Sequence, residues 1–366
     1  MTKSLVFFLV AVLYWSMGQK TPQDPIRYFR KQTINRPIAG VKARTVSLEE
    51  EMPNDSLFQH LSADGVPVYY TREVKTAVCF DNKCRQLVIT LFWNPTGRYL
   101  GFELPENEFL SKKDHDPFTD KEYQRLNELL ADPDLPLGKI TFNELVLTST
   151  PLKGELDGVS GATSENLLQY VIEGAAYTTY KLYTILYGPT QQLVRDWTMQ
   201  CWGKEFMLEV IRSNNLYDVF WGLENVKGKL KEYPRLQEQV LDMIRSENYS
   251  LSEKAIHALE PKDLENITVQ LKLLESLNGL DFGRKKRILE LFGETSQLFP
   301  ETVEQFNSRI SDMEIPLKVL ILEIFKEHEV VDGTTLHTVN GLAHSGNPYI
   351  SRKAKEYLAW SGNKKE

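Results

Sequence analysis

Two hydrophobic patterns divide this chain. Between residues 68 and 104 apolar and polar side chains alternate with a period of two, which predicts strands over 68–70, 74–78, 87–93 and 99–104. Pro67 stands just ahead of the first strand, where its missing N–H does little harm. Asn94-Pro95-Thr96-Gly97 is a turn between the last two. A helical spacing follows, with Asp120 as the cap of a helix carrying Tyr123, Leu126, Leu129 and Leu130, stopped by Pro133 and Pro136. Residues 139–147 return to β character. A long apolar-periodic stretch then places Leu168, Val171, Ile172, Ala175, Thr179, Leu182 and Leu186 along one side of a helix that Gly188-Pro189 ends. An antiparallel sheet with this long helix packed on one face makes an α+β domain over 61–190. Ahead of it, residues 19–60 hold Pro22, Pro25, Pro37 and Pro53 and read as an irregular extension with a short helix over 55–61.

Beyond residue 200 the strand signal disappears and amphipathic segments alternate with short breaks. Lys254, Lys286, Lys318 and Lys353 anchor four weakly similar segments at spacings of 32, 32 and 35 residues. The closest pair begins at Asn248 and at Asn347. Two helices per unit at such a period are the mark of an α-solenoid over 200–360, resembling degenerate HEAT-type repeats. A non-repetitive helical domain is the alternative. His257, His328, His337 and His344 are scattered without metal-ligand spacing, so no metal site and no catalytic group is assigned there.

One stretch between these halves carries chemistry: Leu156-Asp157-Gly158-Val159-Ser160-Gly161-Ala162-Thr163-Ser164-Glu165. Small residues leading into a helix leave backbone N–H groups unpaired at its positive end, a natural seat for a phosphate. Thr163 as a plain N-cap is the simpler reading. A hydrolase elbow would need glycine two residues after Ser160, where Ala162 stands.

Asp157, Ser160, Gly161, Ala162 and Thr163 match the Asp-x-x-Ser/Thr-Gly-Ala-Thr signature of FMN-binding domains in bacterial ion-pumping redox complexes, and this part of the chain resembles that family. The resemblance covers residues 140–190. It implies that a flavin transferase, with FAD as donor and magnesium, joins FMN to Thr163 through a phosphodiester, and that Asp157 to Ala162 form the recognition turn. Related domains carry a more glycine-rich stretch upstream, for which only Gly97 and Gly101 stand here. Trp93, Tyr99, Phe102 and Tyr177 are available as neighbours for the flavin ring, or as core.

Composition changes the picture in two ways. A net charge of −7 excludes broad nucleic-acid binding. Lys3, the apolar run over 5–15 and Ser16-Met17-Gly18 read as a signal peptide over 1–18, too short to span a bilayer, which needs about 20 residues. Export to the periplasm or cell exterior makes Cys79 and Cys84, on either side of a four-residue turn, candidates for a disulfide, with a redox-active pair as the alternative. Cys201 is read as a buried apolar residue. The expectation is an exported flavoprotein that passes electrons between partners, with the solenoid docking it to a redox protein or membrane complex. A flavin-free interaction protein and a flavin-dependent reductase are the alternatives.

Overall fold

A computed structural model describes residues 25–49, 52, 55–77, 86–112, 115–149 and 167–364. The leader, the Cys79/Cys84 pair and the Asp157–Thr163 motif lie outside these residues.

Six antiparallel strands form one sheet in the order β1-β6-β5-β4-β3-β2. They are β1 (Arg27–Phe29), β2 (Gly40–Val46), β3 (Asp55–Leu61), β4 (Pro67–Ala77), β5 (Gln86–Trp93) and β6 (Tyr99–Glu103). The segments over 68–70 and 74–78 are thus parts of the single strand β4. The stretch over 19–60 is no irregular extension, since three strands come from it. Residues 55–61 are a strand and not a helix. Leu57, Gln59 and Leu61 are buried while Ser56, Phe58 and His60 are half-buried, a period of two that a helix cannot supply.

The inner face of the sheet takes Leu57, Tyr70, Leu91, Trp93 and Phe102 into one core, and that core runs on to Trp197. A guanidinium sits inside it. Arg72 has no exposed surface, yet Nε donates to Asp55 Oδ2 at 2.6 Å, Nη2 to Glu49 Oε2 at 2.5 Å and Nη1 to the Thr190 hydroxyl at 2.6 Å. A charge so deep is tolerated only when paired and hydrogen-bonded in this way.

Among the described residues four helices cover that face: α1 (Asp120–Leu130), α2 (Phe142–Ser149), α3 (Ala176–Tyr187) and α4 (Pro189–Met199). The cap of α1 is Thr119, one residue before Asp120, in a capping box with Glu122. The β character expected over 139–147 gives way to α2. There Thr141 N–H donates to Glu144 Oε2 at 2.7 Å, and Glu144 N–H donates to the Thr141 hydroxyl at 3.3 Å, a second capping box that outweighs the apolar run. The long helix expected through Tyr187 is also interrupted. Residues 169–175 form turns, Gly174 takes φ +73°, and α3 begins at Ala176. Gly188-Pro189 does end α3, and Pro189 opens α4 at once.

The remaining chain is helical: α5 (Lys204–Ile211), α6 (Leu216–Val226), α7 (Pro234–Ile244), α8 (Tyr249–His257), α9 (Ile267–Ser276), α10 (Phe282–Glu294), α11 (Pro300–Arg309), α12 (Ile315–Glu327), α13 (Gly333–Ala343) and α14 (Pro348–Gly362). Odd helices α5 to α13 stack on one another, and even helices α6 to α14 form a second layer. Lys254, Lys286, Lys318 and Lys353 fall on successive helices of the even layer, which explains their spacing. Asn248 and Asn347 cap α8 and α14, their side chains accepting from Leu251 N–H and from Tyr349 and Ile350 N–H. Rings step between the layers from Phe292 to Phe306 (5.2 Å) and Phe325 (6.1 Å), and then along the even layer to Tyr357 (6.4 Å). Ion pairs recur at the repeat distance, Glu224 with Lys254, Glu238 with Lys272 and Lys285 with Glu314. No described helix is long and apolar enough to cross a membrane.

Candidate functional site

Asp157, Ser160, Gly161, Ala162 and Thr163 lie outside the described residues, but both anchors of their segment are in place. Before it, Phe142 of α2 meets Tyr177 edge-on at 4.8 Å and Tyr180 at 5.6 Å, and Tyr180 Oη donates to Ile140 O at 3.0 Å. After it, Arg125 of α1 donates to Gln169 O at 2.9 Å. Ile172 N–H donates to the Thr179 hydroxyl at 3.1 Å. The Lys112 stem runs beside Gly174, which has no side chain to obstruct it. The described residues on either side of the segment are thus held against α1 and α3.

The four aromatic residues named for a flavin ring separate cleanly. Trp93, Tyr99 and Phe102 are core: Trp93 Nε1 donates to Leu186 O at 3.0 Å, and Tyr99 Oη donates to Asn127 Oδ1 at 3.0 Å. Burial pushes the Tyr99 hydroxyl well above its usual pKa, as expected where a phenolate would have no water. Tyr177 is half-buried at the anchor beside Phe142. The described residues flanking the motif segment thus include an aromatic edge pair, Phe142 with Tyr177, and the basic side chains of Arg125 and Lys112, residue types that fit a flavin ring and its phosphate.

A second constellation was not legible as a site in the sequence. Asp218, in the first turn of α6, has no exposed surface. It accepts hydrogen bonds from the hydroxyls of Thr33 (2.5 Å), Thr96 (2.5 Å) and Ser213 (3.2 Å), from Asn94 Nδ2 (3.0 Å) and from Arg98 Nε (3.0 Å). Asn94, Thr96 and Arg98 belong to the β5–β6 turn, Thr33 to the segment after β1, and Ser213 to the α5–α6 loop. α4 grips the same turn: Gln191 Nε2 donates to Gly97 O at 2.9 Å and Arg195 Nε to Thr96 O at 3.1 Å. Gly97 has φ +81°, and a Cβ there would stand 2.9 Å from Arg195 Nε, so both backbone and space require glycine. The Asp218 carboxylate has both oxygens fully engaged in its hydrogen bonds. It joins the sheet to the helical stack. An aspartate among Leu216-Tyr217-Asp218-Val219-Phe220-Trp221 is the sequence signal, since an acid inside an apolar helical run needs a partner from elsewhere.

Above this junction opens a cleft of about 590 Å³ between residues 30–36 and Arg98 on one side and residues 209–215 on the other. Every lining residue is polar or charged. Elsewhere, His328 is within 2.8 Å of Phe292 O and His344 within 2.8 Å of Asn340 O. Among the described residues no group of three or more His, Cys, Asp and Glu could hold a metal. Cys201 is only half-buried, with its sulfur 3.9 Å from Gln59 Nε2.

No protein-family model matches the chain, and neither a curated protein nor a solved structure matches it.

Proposed function

We propose that this chain is an exported flavoprotein carrying FMN on Thr163 and relaying electrons between partners outside the cytoplasm. The observation that carries this reading is the complete Asp157-x-x-Ser160-Gly161-Ala162-Thr163 pattern. The Phe142–Tyr177 edge pair, eight residues before the motif-bearing stretch 150–166 and eleven after it, supports it. In maturation a flavin transferase moves the FMN moiety of FAD onto the Thr163 hydroxyl. A new O–P bond forms, the pyrophosphate bond of FAD breaks, AMP leaves, and the hydroxyl proton is released. Once bound, the flavin supplies one- or two-electron transfer. Tyr177 and Phe142 would flank its ring, Arg125 and Lys112 would turn to its phosphate from their present partners Glu128 and Glu122, and the HEAT-like stack would dock a redox partner or membrane complex.

The intact mass, after expression for export alongside the flavin transferase, tests this. Gain of one FMN less water on the Thr163 peptide, absent in Thr163→Ala, is the expected result. Colourless, unmodified protein, with the transferase active on a control substrate, would overturn it. A second reading, a flavin-free interaction protein, is favoured by the two stacked helix layers, whose extended surface suits partner binding.

A further inference from the structure

We infer that the cleft above Asp218 is a binding site for a small polyanion, a molecule carrying two or more phosphoryl or carboxylate groups. This goes beyond the flavin reading and does not depend on it.

Five basic side chains line the cleft, Arg30, Lys31, Arg36, Arg98 and Arg212, against the single carboxylate of Glu209. Two of the five are already committed. Arg98 pairs with Asp218 at 3.0 Å, and Arg36 is held by Asp64 and Glu209. The other three have no acidic partner among the described residues. Arg30 donates one Nη2 bond to Asn127 O at 3.3 Å, and Arg212 uses Nε on Gln239 Oε1 at 2.8 Å. The remaining guanidinium N–H groups, and the Lys31 ammonium, keep free donors at an exposed rim. Counting Asp64 and Asp218 as well, five cations face three carboxylates, an excess of positive charge on a protein whose net charge is −7. Such local reversal of sign in a concave site concentrates anions.

The geometry limits the ligand further. A volume of about 590 Å³ is that of a small-molecule site, commonly about 300–1,000 Å³. No aliphatic or aromatic residue lines the cleft, so a ligand's directional contacts there would be made by its polar groups. Guanidinium forks suit the planar or tetrahedral oxygens of carboxylate and phosphate. The cationic residues come from both sides of the junction, Arg30, Lys31 and Arg98 from the sheet unit and Arg212 from the end of α5. A bound polyanion therefore bridges the two units and stabilises their contact.

Calorimetric titration of the full chain with pyrophosphate and, separately, citrate tests the proposal, with thermal melting as the parallel readout. Saturable binding of at least one probe is expected, weakening as salt rises from about 50 to 200 mM and raising the melting temperature. Arg212→Glu and Lys31→Glu, each an exposed residue, should weaken binding by about tenfold or more while leaving the melting temperature of free protein unchanged. Binding of pyrophosphate alone assigns a phosphoryl ligand, and binding of citrate alone a polycarboxylate. Absence of saturable binding by both probes would overturn the site. So would affinity that neither substitution alters.

Discussion

Arg98 and Asp218 meet at 3.0 Å across the junction of the sheet with the helical stack, the acid wholly buried and the Arg98 side chain 13% exposed. Removing one partner leaves the other charged and desolvated. Asp218→Ala is expected to cost about 3–5 kcal/mol of stability, the range for breaking a buried pair. Urea unfolding measures it, and a loss below about 1 kcal/mol would mean that the carboxylate does not join the two units.

Gly101 lies where β6 passes β1. A Cβ added there would fall 1.8 Å from Tyr28 O, so Gly101→Ala must push β1 away from the sheet edge. The expected cost is about 1–3 kcal/mol. Faster amide exchange at Arg30 and Leu104, whose N–H groups bond across this edge to Leu100 O and Ile26 O, is the local signature. Unchanged protection at both would refute the assignment.

Gln270 staples three turns of the stack. Its Nε2 donates to Leu264 O (2.8 Å) and Gln297 O (2.7 Å), and its Oε1 accepts from Thr302 Oγ1 (2.7 Å) and Phe299 N–H (3.3 Å). Gln270→Leu fills a similar volume but orphans buried donors and acceptors, at about 1–3 kcal/mol. A chemical-denaturation midpoint equal to that of the parent chain would contradict this.

His60 stacks on Tyr69 at 4.3 Å and shares a 2.9 Å hydrogen bond with Thr71 Oγ1. Burial lowers its pKa below the ordinary histidine value of 6.5. The unfolded chain therefore takes up the proton first. Stability is full above about pH 6.5 and falls as the pH drops towards the lowered folded-state pKa. His60→Gln should flatten that acid limb in melting experiments between about pH 7 and 5. An identical slope in both proteins would assign the loss to other groups.

The sheet was legible in β5 and β6, where apolar and aromatic residues run between turn residues, and the half-buried alternation of β3 showed only once its partners were known. Residues 55–61 lack the β-branched side chains that advertise a strand, so their pairing with β2 and β4 decided the outcome. The capping box Thr141-x-x-Glu144 could have been read as a helix start, but the apolar run Leu145-Val146-Leu147 argued for β. Helical segments beyond residue 200 were legible where Asn248, Asn266, Asp281, Asp332 and Asn347 cap an apolar stripe, whereas α5, α7, α11 and α12 begin without a side-chain cap. The Asp218 cluster was invisible for a plain reason. Its members are up to 185 residues apart, and nothing local pairs Thr33 with Asp218.

The position of β1 beside β6 sets an order of events during synthesis. β2 to β5 can pair with sequence neighbours as they emerge, but the first strand must wait for the last, since Arg27 lies opposite Glu103. The sheet cannot close until that distant partner has been made. The five later strands thus assemble as consecutive hairpins, and β1 docks last, on the edge that β6 leaves open.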